Sequence, residues 1–333
     1  MRPSRRSLLR AALGISVSVV ALWLVVSSVD LSRTADVLRA AAPGWIAVML
    51  VLVLCDVGTR GLRWRRLLRP IRALPYRRVL GYTYIGYLAN NVLPARLGEL
   101  VRSQVLAERE ALSLPTVLGT VVVERIVDTA TVVTIAAIAA AVLSAQGGSS
   151  YAVVLGGGFV LVLVVGLALL LVADRLPGAA RVAAFLERWP RVLDAGRRLR
   201  DGLAVVGDPR TLAAAIGLGL VAWSASIGTF LAAGRAVGVE VVPLQAALLC
   251  TGVALATIVP SGPGYLGTFE FTAVGIAATF GIDRDSAFAM ALLVHAMLLV
   301  VTSVGGVIAV VRLGPRPAAA TESAPSGPRP AGT

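Results

Sequence analysis

The chain has 333 residues, 57% of them hydrophobic and only 15% charged; its mean hydropathy is +0.84 and its formal net charge of +13 comes from arginine alone, since there is no lysine. A soluble domain carries about 25% charged residues, so the composition excludes a soluble globular protein and predicts an all-α, polytopic membrane protein. Nucleic-acid binding is excluded too, because the basic residues gather in a few loops instead of in a soluble basic domain. Cys55 and Cys250 sit in apolar runs and imply neither a disulfide framework nor a metal site.

Arg2, Arg5, Arg6 and Arg10 precede an apolar run from Ala11 to Val29. The start resembles a twin-arginine export signal, but the run is long enough to span and no small-x-small cleavage site follows, so an uncleaved first span with its N-terminus inside is expected. Residues 30–40 are expected to form a short outer loop, and a second span runs from about Pro43 to Val57. Eight arginines follow (Arg60, Arg63, Arg65, Arg66, Arg69, Arg72, Arg77 and Arg78), which marks a cytoplasmic loop, with Trp64 as an interface anchor and Asp56 as a surface salt-bridge partner. A dedicated lipid-headgroup site is the more specific alternative for this block. The apolar run from Gly81 to Leu93 is about 20 Å long as a helix, short of the ~30 Å hydrocarbon core. It should enter the membrane, stop near Asn90 and Asn91, turn at Pro94 and return as a helix carrying Glu99 and Arg102.

Pro115 to Leu143 reads as a full span, interrupted by Glu124, Arg125 and Asp128. Residues 146–150 make an outer turn, 151–173 return to the inside, and 174–210 form an arginine-rich, interfacial amphipathic segment. Leu212 to Ala233 spans outward. Leu244 to Val259 is again short, and a Pro/Gly segment then leads into an apolar helix from Phe269 to Phe280. Residues 281–285 turn outside and Ala287 to Val311 is the last span. The result is one transmembrane domain over 1–313, with about six full spans and two re-entrant hairpins at about 79–109 and 244–281, followed by a Pro/Ala/Ser-rich tail over 314–333 that should be disordered. The two hairpins enter from opposite sides, the pattern of an inverted repeat whose broken helices meet near the midplane.

Ionised groups in a bilayer are costly and mark functional sites by default. Arg96, Glu99 and Arg102 stand three apart, and Glu124 and Asp128 share a helix face with Arg125 beside them. Two readings stay open: a self-neutralising ion-pair network, or an anion site with leftover arginine charge, for which the planar guanidinium fork suits phosphate. Asn90 and Asn91 can hold a headgroup or equally satisfy the open backbone at the hairpin tip. Glu270 can be a neutral acid, a proton-coupling group or a partner for an arginine of the first hairpin, the last being preferred if the two motifs meet. For His295, the only histidine, a packed or hydrogen-bonded role is preferred to a proton relay. Gly262, Gly264 and Gly267 allow close backbone approach. The candidate substrate-binding set is Asn90, Asn91, Arg96, Glu99, Arg102, Glu124, Arg125, Asp128, Pro263, Gly264, Gly267 and Glu270.

The run Asn90-Asn91-x-Leu93-Pro94-x-Arg96-x-Gly98-Glu99-x-x-Arg102, the Glu124-Arg125-x-x-Asp128 motif, and the late Pro260-x-x-Pro263-Gly264-x-x-Gly267-x-x-Glu270 motif together resemble the lysylphosphatidylglycerol synthase transmembrane-region family of flippase-like membrane proteins. The resemblance implies a translocator of a phosphate-bearing lipid, phospholipid or polyprenyl-linked, in the cytoplasmic membrane, with both termini inside. Its partners are then anionic membrane lipids and envelope-biosynthesis enzymes. It also implies that the soluble aminoacyl-transfer domain is absent. With no nucleotide-binding motif, no cofactor and no recognisable catalytic constellation, the chain is expected not to be an enzyme. A membrane-embedded lipid-modifying transferase and an accessory subunit are the alternatives.

Overall fold

A computed structural model describes residues 5–93, 97–145, 208–257 and 261–313. Pro94, Arg96, Pro260, the expected span at 151–173, nearly all of 174–210 and the tail lie outside the described residues. Among those described there are ten α-helices, a single turn of 3-10 helix and no strand. In chain order the helices are α1 (Arg5–Val26), α2 (Leu31–Arg39), α3 (Pro43–Leu68), α4 (Tyr76–Val92), α5 (Gly98–Arg109), α6 (Leu114–Ala145), α7 (Pro209–Ala236), α8 (Pro243–Ala256), α9 (Thr268–Thr279) and α10 (Arg284–Leu313), with the 3-10 turn at Pro263–Tyr265 between α8 and α9. Helices α3, α6, α7 and α10 are each long and apolar enough to cross a membrane, and α1 with α2, bent by 84°, makes a fifth candidate. Their outward faces expose large apolar side chains such as Val51, Ile138, Leu220 and Val311, a surface suited to lipid.

Three expectations change. Residues 30–40 are not a loop: Asp30 accepts hydrogen bonds from the backbone N–H groups of Ser32 (2.9 Å) and Arg33 (3.2 Å), and this N-cap starts α2. The second span does not end at Val57, because α3 continues through the first arginines to Leu68. Asp56, Arg60, Arg63 and Leu67 recur at helical spacing and are buried, so this part of the basic block turns inward. Trp64 is no interface anchor; it is fully buried, with its Nε1 donating to Thr120 Oγ1 at 3.1 Å. Arg66, Arg69, Arg72, Arg77 and Arg78 stay exposed.

Four helices are too short to cross. At 1.5 Å per residue, α4 is about 25 Å, α8 about 21 Å, and α5 and α9 about 18 Å each, against a ~30 Å core. They form two hairpins, α4 packing on α5 and α8 on α9. Backbone groups beside each break are bonded by side chains of the protein itself. Gly98 N–H donates to Asn90 Oδ1 (2.7 Å) across the first break. At the second, Gly262 N–H donates to Ser18 Oγ of α1 (2.8 Å) and Gly267 N–H to Glu270 Oε2 (2.7 Å). Gly98 has to be glycine, because a Cβ there would lie 2.1 Å from the carbonyl oxygen of Gly86.

The helices from α3 to α10 fall into two four-helix units, α3–α6 and α7–α10, whose contacts mirror each other. α3 packs on α7, α4 on α10 as α8 does on α6, α5 on α6 as α9 does on α10. The pair α3/α7 is antiparallel: Ala42 N–H bonds Ala236 O, Leu52 meets Gly228, Arg60 lies over Trp223 and Arg63 reaches Gly219. Exchanging the units therefore reverses helix direction, which is the arrangement of an inverted repeat.

Two predictions test this architecture. With Cys55 and Cys250 replaced by serine, Arg77→Cys at the start of α4 and Val242→Cys at the start of α8 should react with a membrane-impermeant maleimide from opposite sides; labelling of both from one side rules the inversion out. Gly98→Ala should destabilise the protein by about 1–3 kcal/mol through overpacking, seen as a lower Tm of the detergent-solubilised protein.

Candidate functional site: a charged belt beside a cavity between the hairpins

Four arginines and four carboxylates of α3, α5 and α6 meet inside the helix bundle. On α3, Arg60 Nε bonds Asp56 Oδ1 at 2.7 Å, one turn apart. Arg63, also on α3 and fully buried, reaches across to α6, with Nη1 2.6 Å from Asp128 Oδ1, and Nη2 2.9 Å from Asp128 Oδ2 and 3.2 Å from Glu124 Oε1. That is the two-pronged geometry in which a guanidinium binds a carboxylate most strongly. Arg102 of α5 bonds Glu124 Oε2 at 3.0 Å and stacks over the ring of Trp64, 4.3 Å from its centroid. Arg125 bonds Glu124 (2.9 Å) and Asp128 (3.0 Å), with Glu99 of α5 more loosely placed at 3.8 Å. From α7, Trp223 Nε1 donates to Asp128 Oδ1 at 3.1 Å.

Four positive and four negative groups cancel, so these residues hold no leftover arginine charge. What they do leave is hydrogen-bonding capacity, since the Nε atoms of Arg63, Arg102 and Arg125 are buried without a partner. Unpaired buried donors are rare, and each calls for an explanation. Arg125 is also the least enclosed of the four, its side chain 40% exposed.

Beside this belt lies a cavity of ≈ 250 Å³. Asp56, Arg60, Glu99, Arg102, Glu124 and Arg125 line it together with the apolar side chains of Phe230, Val253, Leu298 and Leu299. Asn91 and Gly264 both border the cavity, and the two hairpin breaks meet there: a Cβ on Gly264 would stand 3.6 Å from the carbonyl oxygen of Asn91.

Of the expected site residues, Asn90, Asn91, Glu99, Arg102, Glu124, Arg125 and Gly264 line this cavity. Asp128 lies behind the wall inside the ion-pair belt, Pro263, Gly267 and Glu270 stand off it, and Arg96 is outside the described residues. The asparagines hold the hairpin: Asn90 closes the break, and Asn91 Nδ2 donates to Thr302 Oγ1 and Ser303 Oγ of α10, both at 2.9 Å. Among the described residues, Glu270 pairs with no arginine of the first hairpin. Its partner is His295, with Nδ1 2.5 Å from Glu270 Oε1. Asp56 is no surface partner but a buried cavity group. Sequence reasoning missed Arg60, Arg63 and Trp223 as site residues; the signal for the arginines was their spacing from Asp56, which continues the helical period of the apolar run.

The family model described as "Lysylphosphatidylglycerol synthase TM region" matches residues 11–306. The chain is also similar to "Glycosyltransferase AglD" of Haloferax volcanii, 30% identical over 336 aligned positions covering 88% of this chain and 53% of the relative. The chain thus spans about half the length of that curated relative. The expectation that the chain is not an enzyme is overturned by this likeness, since the relative's name is that of a glycosyltransferase. The match over residues 11–306, together with the long apolar helices, makes this chain a member of the lysylphosphatidylglycerol synthase TM region family, an integral membrane protein with a lipid-related function.

Proposed function

We propose that this chain translocates a phosphate-bearing lipid, phospholipid or polyprenyl-linked, across the cytoplasmic membrane, with both termini and the exposed arginines that follow α3 on the cytoplasmic side. The observation that carries this reading is the mixed lining of the cavity where the broken hairpins meet: arginines and carboxylates together with aliphatic and aromatic side chains. An amphiphile needs both at once, polar groups for its head and an apolar surface for the start of its tails. A phosphate enters by exchange. It takes the place of Glu99 on Arg125, the longest contact in the belt at 3.8 Å, and accepts from the unpaired Nε atoms of Arg102 and Arg125. Glu124 and Asp128 then orient the arginines.

A second reading, favoured by the name of the relative from Haloferax volcanii, is transfer of a glycosyl group to or from such a lipid in the same cavity. Glu99, with 24% of its side chain exposed and only the long contact to Arg125, is the belt carboxylate freest to act as general base.

In vesicles carrying a fluorescent phosphatidylglycerol, Arg102→Ala and Arg125→Ala should each slow headgroup translocation roughly ten- to a hundredfold, the worth of one charge-assisted hydrogen bond, with membrane insertion unchanged. Wild-type rates in both variants would remove the site. Mass spectrometry of lipids after incubation with a polyprenyl-phosphate sugar separates the two readings: a new glycosylated product supports transfer, and inversion of unchanged lipid supports translocation.

A further inference from the structure

His295 is the only histidine of the chain, buried in the middle of α10 on the cavity wall. Both of its ring nitrogens face oxygen atoms. Nε2 lies 2.7 Å from the carbonyl oxygen of Gly264, and Nδ1 lies 2.5 Å from Glu270 Oε1. A carbonyl oxygen only accepts, so Nε2 carries a hydrogen. A second proton has to lie between Nδ1 and Oε1, because two lone pairs cannot sit 2.5 Å apart. The pair is then an imidazolium with a carboxylate or an imidazole with a carboxylic acid, and it is net-neutral in both forms. Losing that proton leaves a buried negative charge facing a lone pair, and the contact opens.

What opens with it is the second hairpin. His295 holds Gly264 (φ +63°) and Glu270 holds the N–H of Gly267 (φ +84°), so the two side chains clamp two of the three left-handed residues in the turn over 261–267, the third being Tyr265. That turn touches α4 at Asn91 and α1 at Ser18. We propose that His295 and Glu270 form a proton-binding site whose loading and emptying close and release this turn, and that lipid movement through the cavity is thereby coupled to a proton gradient. The coupling half of the proposal rests on the translocation reading; the proton site does not.

The surroundings single this pair out. α9 carries no other charged residue, and α10 none between Asp285 and Arg312. The other titratable groups facing the cavity nearby are Tyr265 on the turn, Tyr87 of α4 and Cys250 of α8. Across it, each of the carboxylates Asp56, Glu99, Glu124 and Asp128 has an arginine within 4.0 Å. Glu270, set back from the cavity behind His295, is the one described carboxylate with a histidine as its ionic partner.

A single histidine makes the site directly observable. Nitrogen NMR of the full chain, labelled with 15N-histidine in lipid nanodiscs, should show Nε2 protonated and Nδ1 proton-bearing or sharing a proton. Glu270→Gln should convert Nδ1 to a bare imine nitrogen, since the amide N–H then donates to it. A bare imine Nδ1 in the wild-type protein at every pH from mildly acidic to mildly alkaline overturns the site, with no variant needed. In phosphatidylcholine vesicles carrying fluorescent phosphatidylglycerol, an imposed pH gradient should bias net lipid movement in the wild type by up to about tenfold per pH unit for one coupled proton. The bias should be lost in Glu270→Gln and His295→Gln. Wild-type movement indifferent to the gradient overturns the coupling. No movement at all removes the coupling together with the translocation reading and leaves the NMR result to decide the proton site.

Discussion

Arg63 has no water to turn to. It is fully buried in a membrane-grade helix, and every other part of the charged belt is arranged by the need to answer it. Asp128 meets it with two oxygens, Glu124 with one, and those carboxylates then require Arg125, Arg102 and Arg60 in turn. Removing one partner from such a buried pair costs about 3–5 kcal/mol, mostly from the charge left behind. The belt therefore pins α3, α5 and α6 to one another, and Trp223 ties α7 to the same carboxylate. The wall of the cavity and the joint between helices are one set of contacts.

The two repeats share a backbone plan but not a chemistry. Each hairpin breaks at a Pro/Gly segment, and each return helix begins with a glycine followed within three residues by a glutamate, Glu99 on α5 and Glu270 on α9. In the first repeat the break is closed by an amide, Asn90, which leaves Glu99 free to face Arg125. In the second the glutamate itself caps the break, and its other oxygen faces His295. The first hairpin brings Glu99 and Arg102 to the balanced belt of α3, α5 and α6; the second brings Glu270 to a histidine of α10. An inverted repeat places these two unlike edges against each other across one cavity.

Much of this was legible in the sequence. The short apolar runs on either side of Pro94 and Pro263 gave the hairpins, because length against bilayer thickness is a one-dimensional measurement. The Glu124, Arg125 and Asp128 cluster was recognisable as intramembrane, because nothing but helix surrounds it. Arg60 and Arg63 were not recognisable, because eight arginines in one block satisfy the rule for a cytoplasmic loop whether or not the first two turn inward. Only the partners on α6, some sixty residues away, decide that. Glu270 and His295 were both conspicuous, yet their pairing depends on the angle at which α9 leaves the turn, which no local pattern encodes.

The charge balance of the belt bears on how a lipid head would pass. A pocket built on surplus arginine would hold a phosphate tightly, and on releasing it would expose uncompensated positive charge inside the bilayer, so the empty state would be the unfavourable one. In the balanced belt each arginine already has a carboxylate, so the empty cavity carries no unpaired ion. A phosphate that takes the place of Glu99 on Arg125 sets that carboxylate free and adds negative charge, which a proton on Glu99 or a cationic group of the lipid head then compensates. A carrier that must return empty needs a cavity that is balanced without its cargo. The loose 3.8 Å contact between Glu99 and Arg125 lies where the exchange needs it, on the most open arginine, one residue from the glycine that closes the first hairpin.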